Sequence, residues 1–153
     1  MVDVIASSHV MSGVEVETKE DSLALFSSEA CRLGIAEDRD SVLAAYRLRE
    51  REGATGLIEG FSIPHAKSDS IKRPAVLVQA FSRPVEDWET LDGSRVSCAI
   101  SLLVPGGEAG DAHIKLLSQV AVMIMDKEFR SAVGRAEDAE GIYRLILSGF
   151  AAD

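Results

Sequence analysis

The chain has 153 residues, enough for one domain to bury a core without disulfides or a structural metal. Apolar residues make up 46%, which excludes a disordered polymer. A net charge of −9 argues against nucleic acid and anionic membranes as partners.

The N-terminus "MVDVIASSHV" lacks the basic start and long apolar run of a secretory signal. No stretch approaches the length of a membrane span. These features give the expectation of a cytoplasmic protein with no direct membrane insertion. Cys31 and Cys98 lie alone inside apolar segments and read as buried free thiols, not as a disulfide framework or zinc site.

Residues 1–12 read as loosely ordered, and His9 within them is given no role. "GVEVET" alternates as a short strand does. Thr18 and Asp21 have capping-box-like spacing, and Leu23, Phe26, Ala30 and Leu33 recur at helical intervals before a stop at Gly34. "DRDSVLAAYRLREREG" predicts a second helix, with Val42, Leu43, Ala45, Tyr46 and Arg49 following its turns and Gly53 ending it. The period then changes. "LIEGFSI" predicts a strand entering Pro64, "PAVLVQAF" a second before Pro84, and "RVSCAISLLVPGG" a long third ending at Pro105. Their near-continuous apolar runs predict strands covered on both faces.

A third helix is expected from Asp111, its candidate N-cap, through "AHIKLLSQVAVMIM". It is apolar on most sides and is therefore expected to be deeply packed. "DKEFRSAVGRA" and "EDAEGIYRLILSGF" predict two short helices. No linker or repeat divides the chain, so residues 1–153 read as a single α/β domain with a central sheet flanked by helices.

Within "GFSIPHAKSD", Pro64 fixes its own backbone and pushes Ile63 toward extended geometry, which makes His65 a rigid imidazole at a strand end. Ala66 is small and leaves room around the ring. A nucleophilic imidazole needs one nitrogen free and the other held as a donor. An ordinary turn histidine is an equal alternative on these residues alone. His113 stands in the first turn of the third helix and shares a face with Leu117, Val120 and Ile124. By itself it reads as the rim of a buried helix. Arg49 lies in "RLREREG", where Arg47 and Arg51 read as solvated surface; an arginine turned inward would grip phosphate in a forked geometry. "PGGEAGD" lacks the Gly-Lys-Ser/Thr of a P-loop, the three histidines lack metal-ligand spacing, and no Gly-x-Ser-x-Gly elbow is present.

Together, "REREGATGLIEGFSIPHAK", "DWETLDGSRVSCAISLLVP" and "HIKLLSQVAVMIMDKEFRSAV" resemble the enzyme IIA family of the fructose/mannitol class in the bacterial sugar phosphotransferase system. The resemblance covers roughly residues 15–147. It implies an α/β fold with a central mixed β-sheet and helices on both faces. It also implies that His65 is phosphorylated, with His113 and Arg49 in supporting positions. HPr would be the phosphoryl donor and a IIB protein or domain the acceptor. No cofactor or metal is implied. Glu59 departs from the family's usual neutral polar residue and Ser62 from its usual alanine; a carboxylate near a phosphohistidine would repel it, so Glu59 either points away or tunes reactivity. Two roles suit the resemblance: a phosphocarrier for sugar uptake, or a nitrogen-related regulator that binds targets according to its phosphorylation state. A plain α/β domain with incidental histidines is the remaining alternative.

Overall fold

The computed structural model describes residues 2–107 and 110–151, the side chains of residues 2 and 110–112 excepted. A mixed sheet forms the centre. Its strands are β1 (Val10–Val14), β2 (Phe61–Ser62), β3 (His65–Ser68), β4 (Ala75–Val85) and β5 (Val96–Pro105). The order is β1-β4-β5-β2, with β3 also paired to β5. Only β4 and β5 run antiparallel; β1 is parallel to β4, and β2 and β3 are parallel to β5.

Helices α1 (Lys19–Arg32) and α2 (Arg39–Glu52) cover one face. Helices α3 (Gly110–Met125), α4 (Lys127–Arg135) and α5 (Ala139–Ala151) cover the other. Alternation along β5 shows why its sequence is almost wholly apolar. Cys98, Ile100 and Leu102 enter the α3–α5 core, while Ala99 and Leu103 enter the α1–α2 core. Ser101, on the α1–α2 side, is fully buried but bonds the Tyr46 hydroxyl at 2.5 Å.

Helix ends follow the expected chemistry. The Thr18 hydroxyl accepts from the Asp21 amide at 3.1 Å, and Asp38 caps α2 by accepting from the Asp40 and Ser41 amides. Gly34, at φ 74°, turns the chain after α1, and the Gly53 amide donates to the Glu50 carbonyl where α2 ends.

Four expectations need correction. The N-terminus is not loose: Val2–Val4 and Ser7–His9 form 3₁₀ turns, Val4 and Ile5 are core residues, and β1 begins at Val10 rather than Gly13. His9 is buried and its Nδ1 donates to the Val76 carbonyl at 3.0 Å, which pins this segment across the sheet. The strand expected over "LIEGFSI" is only Phe61–Ser62. The Ile63 amide turns aside to the Thr55 carbonyl, and Pro64 has no amide to offer, so pairing breaks there and resumes at His65. Helix α3 is not buried all round, since Ile114, Val122 and Met125 are 62%, 70% and 55% exposed. It already includes Gly110, so Asp111 is not its cap, and the two residues directly before Gly110 lie outside those described.

The approach to β2 is a tight turn. The Phe61 amide donates to the Ile58 carbonyl across Glu59 (φ 52°) and Gly60 (φ 84°), a two-residue turn with both centres left-handed. Asn-Gly suits such a turn, whereas glutamate meets its Cβ penalty. Replacing Glu59 by asparagine is therefore expected to stabilise the fold by about 1 kcal/mol, read as a higher urea midpoint at unchanged slope. A lower midpoint would mean that the Glu59 side chain makes a compensating contact.

Candidate functional site

His65 opens β3 opposite Leu102 of β5. It therefore does not hang beyond a strand, as the sequence suggests, but is held by the sheet as well as by Pro64. Ala66 turns to the opposite face and joins the α1–α2 core, so it does not border the ring. The His65 Nδ1 lies 3.0 Å from the Ile63 carbonyl oxygen. A carbonyl only accepts, so Nδ1 carries the hydrogen and the tautomer is fixed by geometry. Nε2 keeps its lone pair and accepts from the Arg49 Nε–H at 2.9 Å. Arg49 reaches the ring from the end of α2, where its Nη1 donates to the Gly53 carbonyl at 2.7 Å. That bond meets a carbonyl left over by the ending helix and aims the guanidinium inward. Arg47 is half exposed and pairs with Glu20, and Arg51 is exposed, as a solvated helix end requires.

His113 arrives from α3, on the other side of the edge. The two imidazole centroids are 5.5 Å apart at 66°. Leu117, Val120 and Ile124 follow it on the core-facing side of the helix. The His113 Nε2 is buried and has no hydrogen-bond partner among the described residues. An orphaned polar atom of this kind costs about 1–3 kcal/mol, relieved by any ligand that pairs with it.

Burial lowers the pKa of both rings. For His65 the donation to Ile63 opposes the shift, and the Arg49 and His113 charges add to it. For His113, Lys67 and Arg49 add to it. Both rings are thus neutral at neutral pH, between two cations. Lys67 escaped the sequence reading because the strand was expected to stop at Ile63. With β3 starting at His65, period-two alternation puts Lys67 on the same side as the ring. The Ile63 carbonyl also escaped it, because a backbone contact leaves no mark in residue type.

His9 has its pKa lowered too, chiefly by burial. All three histidines then act in one direction. The unfolded chain takes up these protons near the ordinary value of 6.5, while the folded chain resists until lower pH. Stability is full above that value and falls as pH drops through the folded values. The urea midpoint is expected to fall between about pH 7.5 and about pH 5.5, with a smaller fall in a His65→Gln/His113→Gln double variant. A flat profile in the parent protein would contradict the burial argument.

Of the two departures, Ser62 is fully buried and its Oγ has no partner among the described residues. Glu59 is exposed in the turn before β2 and forms no contact with the histidine pair. Among the described residues no cluster of histidine, cysteine, aspartate and glutamate could hold a metal, and no helix is long and apolar enough to cross a membrane. The arrangement provides a neutral imidazole with a directed lone pair, a guanidinium on that lone pair, a second imidazole with an unused nitrogen, and a lysine. It can accept an electrophile that carries several anionic oxygens.

Residues 3–149 match the family described as "Phosphoenolpyruvate-dependent sugar phosphotransferase system, EIIA 2". A nitrogen regulatory protein of Bradyrhizobium diazoefficiens is 28% identical over 95% of this chain and 94% of its own length. A fructose-specific EIIA component of Haloferax volcanii is 32% identical over 84% of this chain and 82% of its own. The crystal structure of nitrogen regulatory protein IIA-Ntr from Neisseria meningitidis superimposes with a TM-score of 0.87 at 26% identity, covering 95% of this chain and 97% of that one.

Proposed function

The chain belongs to the EIIA 2 family of the phosphoenolpyruvate-dependent sugar phosphotransferase system, and on that premise we propose that it carries a phosphoryl group on His65 Nε2. The group is taken from phospho-HPr and handed to a IIB protein or domain. The observation that carries this reading is the fixed tautomer: Nδ1–H on the Ile63 carbonyl, Nε2 facing outward against Arg49.

The Nε2 lone pair attacks phosphorus as the donor's phosphorus–nitrogen bond breaks, and the bonding pair returns to the donor ring. No proton has to move, since Nδ1–H keeps its place on the Ile63 carbonyl and supports the positive ring that forms. Charge in the transition state spreads over three equatorial oxygens, so positioning and electrostatics supply most of the catalysis. Arg49 leaves Nε2 for a phosphoryl oxygen. His113 offers Nε2–H to another, which ends that nitrogen's isolation. Transfer to the second protein reverses these steps. Ile114 puts an exposed apolar side chain next to His113, and Val122 and Met125 continue the exposed apolar surface toward the far end of α3, suited to a partner that docks briefly.

The test is incubation with phosphoenolpyruvate, enzyme I and HPr, followed by phosphorus NMR of the product under alkaline conditions. Phosphate on Nε2 of His65 is expected. Phosphate on Nδ1 would overturn the assignment of the tautomer's role. His113→Gln keeps a donor and should retain part of the transfer rate, whereas His113→Ala should lose more, with labelling surviving in both. Rates that fall only in step with the unfolded fraction, measured by melting the same samples, would make His113 structural.

A second reading is a regulator that binds targets according to its phosphorylation state. The similarity to nitrogen regulatory proteins over nearly their whole length favours it. Both readings use the same phosphohistidine chemistry. Transfer from the phosphorylated protein to a IIB protein supports the carrier; a stable complex formed in only one phosphorylation state, without transfer, supports the regulator.

A further inference from the structure

A cavity of about 730 Å³ lies at the other end of the sheet from His65. Its floor includes Phe61 and Cys98, a paired position four residues back along β5 from Leu102, the partner of His65. That separation is roughly 13 Å at strand rise. The cavity opens where two ladders lose register together. Pairing of β1 with β4 is irregular between Met11 and Val14, and pairing of β4 with β5 between Ala80 and Val85. Such irregularities splay strands and redirect side chains, and they recur beside binding sites. Phe61, Val133 and Ile142, all core residues, form apolar wall, and helix α4 closes one side.

Four charged residues line the cavity: Lys127 and Arg130 from α4, Glu137 just after it, and Glu59 from the turn before β2. Among the described residues none of the four forms an ion pair within 4.0 Å. Arg130 spends one guanidinium nitrogen on the Ile124 carbonyl at 2.9 Å, which holds the side chain in place. Glu59 is the one non-glycine residue with positive φ among those described. A glutamate kept in a strained turn, on the rim of a cavity and away from the histidine pair, invites a functional explanation.

We infer that this cavity binds a zwitterion of the amino-acid type with a bulky apolar side chain. Lys127 and Arg130 take its carboxylate, Glu59 and Glu137 take its ammonium group, and the side chain lies on Phe61, Val133 and Ile142. A simple anion would be repelled by the two glutamates, and a simple cation by the two bases. A neutral apolar ligand would leave all four charges without use. The volume falls in the range of small-molecule sites and accommodates either a free amino acid or a dipeptide, which share this chemistry.

The test is titration of the full, unphosphorylated chain with L-phenylalanine and, separately, with the dipeptide Phe-Leu. Heat is followed by calorimetry and the Val133 and Ile142 methyl shifts by NMR. Ligand is carried to about 10 mM, enough to fill most of a site with a Kd of about 1 mM. Saturable binding of either ligand that moves those methyls is expected, and the tighter ligand identifies the source. Phenylalaninamide and 3-phenylpropanoate, each lacking one charge, should bind about fivefold or more weakly. Lys127→Gln should weaken binding similarly, and Glu59→Asn should weaken it while raising the urea midpoint. No saturable binding by either zwitterion would overturn the inference. Equal binding of the charge-deleted analogues, or unchanged affinity in both variants, would overturn it as well. None of these measurements involves phosphoryl transfer, so their failure leaves the reading of His65 untouched.

Discussion

His65→Ala is expected to abolish phosphorylation by phospho-HPr, a loss of at least about 10⁴-fold, because no other group can supply the bond that forms. The fold should survive. The ring's contribution to structure is two hydrogen bonds, one to the Ile63 carbonyl and one from Arg49, each worth about 1 kcal/mol, and a small cavity at a sheet edge. Circular dichroism and the urea midpoint check that part, and radiolabel transfer under alkaline conditions checks the chemistry. Labelling at the parent rate would move the nucleophile elsewhere, and the unpaired Nε2 of His113 would be the next place to look.

Arg49→Ala is expected to slow transfer by about 10²-fold or more, the usual cost of deleting one donor that stabilises transition-state charge. Its loss also frees the Gly53 carbonyl at the end of α2 and leaves Nε2 of His65 without its resting partner. Both groups then face water, so stability should fall by about 1 kcal/mol at most. Arg49→Lys separates charge from shape. A lysine restores the charge but not the fork that touches Gly53 and the ring together, so recovery should be partial. Stopped-flow transfer from phospho-HPr reads all three proteins. An unchanged rate in Arg49→Ala would return this residue to the solvated helix end, beside Arg47 and Arg51.

Elements with local periodicity were legible in the sequence. Helix α2 falls on Arg39–Glu52, within the stretch its apolar spacing marks out, and β5 follows its apolar run to Pro105. Elements that owe their form to distant partners were not. Residues 1–12 show no period, yet β1 pairs with β4 and His9 bonds Val76, 67 positions away. Composition made α3 look buried all round; only the packed fold shows that one side faces solvent at Ile114 and Val122. The site was legible in residue type but not in contact. Pro64 marked His65 as rigid, and the family resemblance singled Arg49 out from its neighbours. The Ile63 carbonyl and Lys67 depend on where β3 begins, which one missing proline amide decides.

Of the strand pairings, only β4 with β5 joins neighbours in sequence by a turn back along the sheet. The parallel partners of both must be brought in across long intervals, at a cost in loop entropy that slows folding. The edge that carries His65 is one of these parallel partners, and it takes its place only once β5 is there to pair with. Before it docks, the imidazole samples both tautomers, and Arg49 has no fixed place from which to meet it. A nascent or misfolded chain therefore presents an ordinary histidine. If His65 carries the phosphoryl group as proposed, its phosphorylation would double as a check on maturation, because a chain that has not finished folding would draw none.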